Sequence, residues 1–288
     1  MILSASCEES APKQNTTDGV NTPTTDGVNA PTTDGINASL KFNTIKVEDF
    51  MKHPNATEEY HGLKYTISFT YPSEHSDKAV LETLQRSFIS HLLGEKYASL
   101  TPEKAVNALI EDWKAEYLKE MAEYIQDQQE YGSEYITVLP YEYEISNTIP
   151  LFTDQLLQSE AFGHWYMGGA HGSGGPWAAL FNPQTGQKYS KSDIFDLRKE
   201  DDLQRLLLQE IYAIAHEYSP DADIDHDGVW TEEVNFSITP NGVTFLYVDY
   251  ALGCYALGIN EVPVSYAKII PYLRIGTPVW DFAKIKRV

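Results

Sequence analysis

The sequence predicts an α+β fold in two subdomains, a largely antiparallel β-sheet packed against helices, and three observations support this. Strict two-residue alternation of apolar and polar side chains recurs along the chain, and three long stretches carry apolar residues at helical spacing. The two patterns come in blocks: strand, two helices, strands, helix, strands.

The elements follow in order. Leu63, Tyr65, Ile67, Phe69 and Tyr71 alternate with Lys64, Thr66, Ser68 and Thr70, so a half-buried strand is expected here and the sheet is expected to begin with it. Val80, Leu84, Phe88 and Leu92 share one helical face within 76–93, closed by Gly94. Thr101, Pro102 and Glu103 read as an N-cap, a first-turn proline and an acidic first turn, opening a helix to about Gln128. Its apolar stripe runs through Val106, Leu109, Ile110, Trp113, Tyr117, Met121 and Ile125, and the opposite face, with Glu111, Asp112, Glu116, Glu120 and Glu123, is expected to be solvated. Tyr141, Tyr143 and Ile145 alternate with Glu142, Glu144 and Ser146, and a further extended run over about 149–157 follows, both read as antiparallel strands. Leu203, Leu206, Leu207, Ile211 and Ile214 place a third helix at about 199–218, closed by Pro220. Phe236 and Ile238, then Val243, Phe245 and Tyr247, flank Pro240-Asn241-Gly242 and predict a hairpin whose Asn-Gly turn suits strand twist. A strand at about 261–264 and a short helix over 266–273 complete the fold.

Composition narrows the function classes. The 288 residues include 42 acidic and 21 basic ones, giving a net charge of −21 and a pI near 4.6. Nucleic acid is excluded as an expected partner, because binding it draws on Lys and Arg to neutralise phosphates, and anionic lipid headgroups are repelled for the same reason. A cationic partner would be steered toward this chain. Hydrophobic content of 42% supports a real core without disulfides, and the two cysteines, Cys7 and Cys254, do not make a disulfide framework. No run of 18 apolar residues occurs, so membrane attachment is expected only through lipid.

Met1 to Cys7, with small residues before the cysteine, looks like the tail of a lipoprotein signal peptide. A basic segment and an apolar segment do not precede it, so the true start is expected upstream and Cys7 is the expected lipid attachment site. Three eight-residue units follow at 16–23, 24–31 and 32–39, rich in Thr, Asp, Gly, Asn and Pro. Such units bury too little surface to offset chain entropy, so 1–39 is read as signal remnant and linker. The linker would span on the order of 30 Å on average and about 100 Å when stretched. Acidic Glu8 and Glu9 directly after the cysteine resemble export signals of surface-exposed lipoproteins in some Gram-negative bacteria. The expected location is therefore the cell envelope, outer-membrane or cell-surface exposed.

Six segments carry a family resemblance. They are Trp165 to Gly172 (WYMGGAHG), Phe181 to Gly186 (FNPQTG), Ser190 to Phe195 (SKSDIF), Asn235 to Phe245, Tyr250 to Gly258, and Val262 to Tyr266. In this order they resemble the RsiV-like extracytoplasmic domain, a domain of unknown function shared with the lysozyme-sensing anti-sigma factor, over about 163–273. Ala251 and Cys254 stand where that family commonly has glutamate and proline. The resemblance implies ligand recognition outside the cytoplasm, and it divides the folded part into a companion subdomain at 40–160 and an RsiV-like subdomain at 161–288. A sigma-binding segment and a transmembrane helix are not among these residues, so the anti-sigma role does not carry over.

Several constellations bear on chemistry. Gly168 to Gly175 is glycine-rich but lacks the Gly-Lys-Ser/Thr ending of a Walker loop. Either its glycines permit positive φ and close strand approach while His171 bonds to backbone, or Trp165, His171 and Trp177 line a ligand-binding groove whose aromatic faces stack on a sugar or a protein side chain. Asp223, Asp225, Asp227 and Gly228 fall at positions one, three, five and six of a calcium loop, yet position twelve is Val234, with Glu232 and Glu233 just short of it. A calcium site and a solvated loop both stand, and no other cofactor is expected. Cys254 with His171 would serve a thiol hydrolase, but Cys254 is read as buried and inert. Glu142 and Glu144 share a strand face opposite the tyrosines and are read as a water-facing pair rather than a glycosidase pair.

The expected function is a non-catalytic, lipid-anchored envelope protein that binds a lysozyme-like protein or a glycan. The alternative is a hydrolase of cell-wall or dietary polysaccharide.

Overall fold

The computed structural model describes residues 40–132, 137–218, 221–231 and 235–286. Cys7, the repeats at 16–39, Pro220 and 232–234 lie outside the described residues. The architecture is α+β, with two mostly antiparallel sheets and helices against them. Among the described residues no helix is long and apolar enough to cross a membrane.

The first sheet has the order β1 (Lys41–Lys52), β2 (Gly62–Glu74), β3 (Tyr141–Phe152), β4 (Leu157–Tyr166), β5 (Ser173–Phe181). All neighbours are antiparallel except β2 and β3, which are parallel. Parallel neighbours need a long crossover. Here α1 (Lys78–Leu92) and α2 (Pro102–Glu130) supply it. The Asp77 carboxylate caps α1 by accepting from the Ala79 and Val80 amides at 2.8 and 3.3 Å. Thr101 caps α2, with Pro102 in its first turn, as its sequence signals predict. The run expected at 149–157 is the end of β3, a turn, and the start of β4.

Both helices cover one face of the sheet, where Tyr65, Ile67 and Phe69 of β2 meet Leu84 and Phe88 of α1 and Val106, Tyr117 and Met121 of α2. A core this rich in tyrosine must find partners for its hydroxyls. Tyr65 donates to Asp49 at 2.9 Å, Tyr71 to Glu103 at 2.9 Å, Tyr97 to Asp112 at 2.7 Å and Tyr141 to Glu120 at 2.6 Å. The expectation that Asp112 and Glu120 belong to a purely solvated helix face is thus corrected: their carboxylates close the rim of the core.

Two elements were not expected. β1 is an edge strand with eight of its twelve residues exposed, and Lys41, Lys46, Glu48, Asp49 and Lys52 dilute its apolar signal. Charges of this kind blunt an open sheet edge. The other is α6 (Pro278–Lys286), which buries Val279 and Ala283 in the second core. Thr277 caps it, accepting from the Trp280 amide at 3.3 Å, so the Thr-Pro signal that announces α2 also stands at 277–278.

After β5 the chain forms α3 (Lys191–Ile194), α4 (Glu200–Tyr218) and a second sheet, β6 (Asn235–Ile238), β7 (Gly242–Leu246) and β8 (Glu261–Ser265), followed by α5 (Tyr266–Ile269). Leu203, Leu207 and Ile211 of α4 pack with Phe195, Phe245 and Val262 in a second core. The β6–β7 hairpin forms where predicted, but neither Asn241 nor Gly242 has positive φ, so its turn is not the primed type expected. The Thr239 hydroxyl shapes it instead, accepting from the Asn241 and Gly242 amides at 3.3 and 3.2 Å. The proposed division at 160/161 falls inside β4, and the change of sheet comes after β5.

A buried amide joins the two sheets. Gln158 of β4 is 0% exposed, and its Oε1 accepts from the Ile238 amide of β6 at 2.7 Å. Its Nε2 lies 3.2 Å from the Ile238 carbonyl, 3.1 Å from Ser237 Oγ and 2.9 Å from Glu160 Oε1. The side chain thus pairs with β6 as a strand backbone would. Asn147 of β3 does the same for β2, accepting from the Thr70 amide at 2.7 Å and donating to its carbonyl at 2.9 Å.

Two outcomes follow from these contacts. Gln158→Ala strands the Ile238 amide and should cost about 1–3 kcal/mol in urea unfolding, whereas a change near zero would show that the amide does not join the sheets. His91, at the end of α1 with its ring edge toward Phe181, has a buried Nε2 with no hydrogen-bond partner, and burial first, then the Lys188 charge, pushes its pKa down to about 3. Because the unfolded histidine binds a proton below about pH 6.5 and the folded one does not, His91 makes stability fall as pH drops from there toward its folded pKa. His91→Leu should flatten the stability–pH slope between about pH 4.5 and 6 by about 1.4 kcal/mol per pH unit, measured by urea unfolding across that range.

Candidate functional site

The turn 167–172 joins β4 to β5, and Gly168 and Gly169 carry φ of 72° and 153° within it. At its end His171 Nδ1 lies 2.8 Å from the Gly172 carbonyl. A carbonyl only accepts, so Nδ1 carries the proton and Nε2 is left to accept from the Tyr250 hydroxyl at 3.2 Å. The imidazole stacks on Tyr255, with ring centroids 3.8 Å apart and planes 13° apart. Tyr250 and Tyr255, themselves 5.7 Å apart, remain 54% and 40% exposed. The three rings form an aromatic platform open to solvent.

The platform is built from both halves of the chain. Asp249 clasps Gly174: its amide donates to the Gly174 carbonyl at 2.8 Å, and its Oδ2 accepts from the Gly174 amide at 2.8 Å. Asn260 Nδ2 holds the other carboxylate oxygen at 3.2 Å. The backbones come so close that a Cβ at Gly175 would lie 2.8 Å from Val248 Cα, so only glycine fits. Tyr250 follows directly, at φ 68°, the one non-glycine residue with positive φ among the described residues. Holding a bulky side chain in this region costs on the order of 1–3 kcal/mol, and such strain concentrates at functional sites.

Strand alternation separates the residues that the sequence grouped together. Trp165 pairs with Tyr143 and Ser173, and Trp177 with Ala161, which places both on the helix-covered face, packed against the first core. His171 is grouped instead with Tyr250 and Tyr255. Phe162, His164 and Tyr166 alternate with Trp165 and so lie on the opposite, helix-free face. Glu142 and Glu144 lie on that face too, opposite the buried Tyr141 and Tyr143, as their spacing predicts. Between this face and the second sheet runs a cleft of about 370 Å³ lined by Glu160, Phe162, Ser237 and Glu261. In it the Glu160 carboxylate accepts from Gln158 Nε2 and Ser237 Oγ.

The aspartate loop has a different organisation from a calcium loop. Asp225 Oδ1 accepts from the Asp227 amide at 3.0 Å, and the Asp225 amide donates to the Leu252 carbonyl at 2.9 Å. Gly228 does not take the positive φ range, and a Cβ there would lie 1.9 Å from the Ala251 carbonyl. The glycine therefore serves close packing against the platform loop. Among the described residues no three His, Cys, Asp or Glu side chains converge as metal ligands, Asp223, Asp225 and Asp227 included. Glu232, Glu233 and Val234 lie outside the described residues. Cys254, read as buried, is exposed, and the ring of the following residue, Tyr255, is what stacks on His171.

Residues 192–267 match the model of a protein family of unknown function, DUF3298. The matched segment runs from α3 through the second sheet to α5 and includes Tyr250 and Tyr255, while His171 comes from outside it. A solved DUF3298 family member from Bacteroides fragilis NCTC 9343 is similar over 85% of this chain and 98% of its own, at 24% identity and a TM-score of 0.72. A DUF3298 family protein from Pseudomonas aeruginosa PAO1 is similar over 84% of this chain and 96% of its own, at 17% identity and a TM-score of 0.53. At these identities the likeness is one of fold. No curated protein matches the chain.

The sequence did not single out Tyr250 and Tyr255 as candidate site residues, although both lie in the 250–258 segment. The available signal was their place in a glycine-bounded loop with aromatic side chains and no apolar period. The strain at Tyr250 is measurable by exchanging the residue. Tyr250→Gly should be more stable than Tyr250→Ala by about 1 kcal/mol in thermal or urea unfolding, because only the alanine keeps a Cβ in the left-handed region. Equal stabilities would show that the backbone there is unstrained.

Proposed function

We propose that this chain is a non-catalytic ligand-binding protein of the cell envelope, held by a lipid on Cys7 ahead of the repeat segment 16–39. In this reading it recognises a protein or glycan ligand through the platform of His171, Tyr250 and Tyr255. The observation that carries the proposal is the solvent-exposed stack of His171 on Tyr255, supported from a strained Tyr250. Exposed rings of this kind offer a flat apolar face with polar edges, which suits a sugar ring or a protein side chain. The cleft between the sheets, with Phe162 beside Ser237 and Glu160, offers similar chemistry. The resemblance to the RsiV-like domain makes lysozyme the first protein to try, and the net charge of −21 favours a basic partner of that kind.

A polysaccharide hydrolase is the second reading, favoured by the carboxylates of Glu160 and Glu261 in one cleft. Calorimetric titration of the full chain with lysozyme and with chitin and peptidoglycan fragments, at low and physiological salt, tests both. On the binding reading, His171→Ala and Tyr255→Ala each weaken a salt-resistant interaction about tenfold or more while the unfolding midpoint stays near wild type. Unchanged affinity in both variants would remove the platform from the site. Glycan turnover that disappears in Glu160→Gln would replace the proposal with the hydrolase.

A further inference from the structure

A second cavity lies on the same helix-free face, at the end away from the second sheet. Its volume is about 630 Å³. One cross-strand row forms its floor: Phe50 of β1 is opposite Lys64 of β2, Lys64 opposite Glu142 of β3, and Glu142 opposite Tyr166 of β4. Tyr60, from the β1–β2 connection, stands over this row and is 64% exposed. Phe50 is 40% exposed and lies across Gly62, where a Cβ would come within 2.6 Å of its ring. Tyr166 is held by its hydroxyl, which donates to the Gly169 carbonyl at 3.0 Å and accepts from its amide at 3.2 Å. The cavity therefore presents aromatic faces fixed by backbone contacts on different strands.

Its charges have one sign in excess. Glu48, Glu59 and Glu142 line it against a single ammonium, Lys64, which is already paired with Glu142 at 2.8 Å. An anion is repelled here, and a neutral apolar ligand would strip water from carboxylates without replacing it. An organic cation meets both features, because aromatic faces attract it through their quadrupoles and the carboxylates supply the counter-charge.

We propose that the cavity bounded by Phe50, Tyr60 and Tyr166 is a binding site for an organic cation, an alkylammonium or guanidinium group on a small molecule or on a side chain of a basic protein. The site is separate from the His171 platform. The proposal stands or falls independently of it.

The test titrates the full chain with choline, with its neutral isostere 3,3-dimethylbutan-1-ol, and with the peptide acetyl-Gly-Arg-Gly-amide, read by calorimetry and by tyrosine ring shifts in NMR. At least one of the two cations should bind about tenfold or more tightly than the neutral isostere. Tyr60→Ala and Glu59→Gln, both at exposed positions, should each weaken that binding about fivefold or more, while Phe162→Ala in the other cleft leaves it unchanged. Choline binding assigns the site to free amines, and binding of the peptide alone assigns it to a side chain of a protein partner. Equal binding of the neutral isostere, no response to either cation at about 10 mM, or an affinity indifferent to Tyr60→Ala in a variant of wild-type stability would overturn the proposal.

Discussion

The arrangement of the second half of the chain depends on satisfying one buried amide. Gln158 lies at full burial between two sheets, and a buried amide without partners costs several kcal/mol. Its donors and acceptor are met by Ile238, Ser237 and Glu160, which sets the edge of β6 against β4 in one register. The Asp249–Gly174 clasp is the second point of that junction. Hydrophobic contact alone would leave the sheets free to slide, because apolar burial has no direction.

The first sheet is asymmetric for a related reason. The parallel pairing of β2 and β3 requires a crossover, and the crossover consists of two helices that occupy one face. That face takes the large apolar side chains of every strand, Trp165 and Trp177 among them. The other face keeps Phe50, Phe162, His164 and Tyr166 with a majority of carboxylates, and the second sheet covers only one end of it. The acidity of the chain also has a structural part. Asp49, Glu103, Asp112 and Glu120 accept hydrogen bonds from core tyrosines, so these charges finish a tyrosine-rich core as well as keeping the surface hydrated.

Local signals were legible wherever the physics is local. Alternation at 63–71 and 141–146, helical spacing at 80–92, 106–125 and 203–214, and the Thr101-Pro102 start all became the elements they indicate, because period and capping act within a few residues. β1 escaped because an edge strand keeps polar side chains on much of its length, and α6 because its burial is supplied by a core made elsewhere in the sequence. The candidate site was half legible. His171 was singled out with a backbone partner, but its companions were assigned to the nearest tryptophans in sequence, and those point into the core.

Period, charge and glycine content in the sequence specify the α+β class, most element positions, the acidity of the chain and the glycine-rich turn that carries His171. Only the tertiary structure decided that β2 and β3 run parallel, that Gly228 and Gly175 are used for close backbone approach, and that Tyr250 and Tyr255 meet His171 from about 80 residues away. The reason is the range of the forces involved. Period, charge and capping are properties of neighbouring residues, whereas pairing register, backbone contact and ring stacking depend on which distant segments a buried amide or carboxylate brings together.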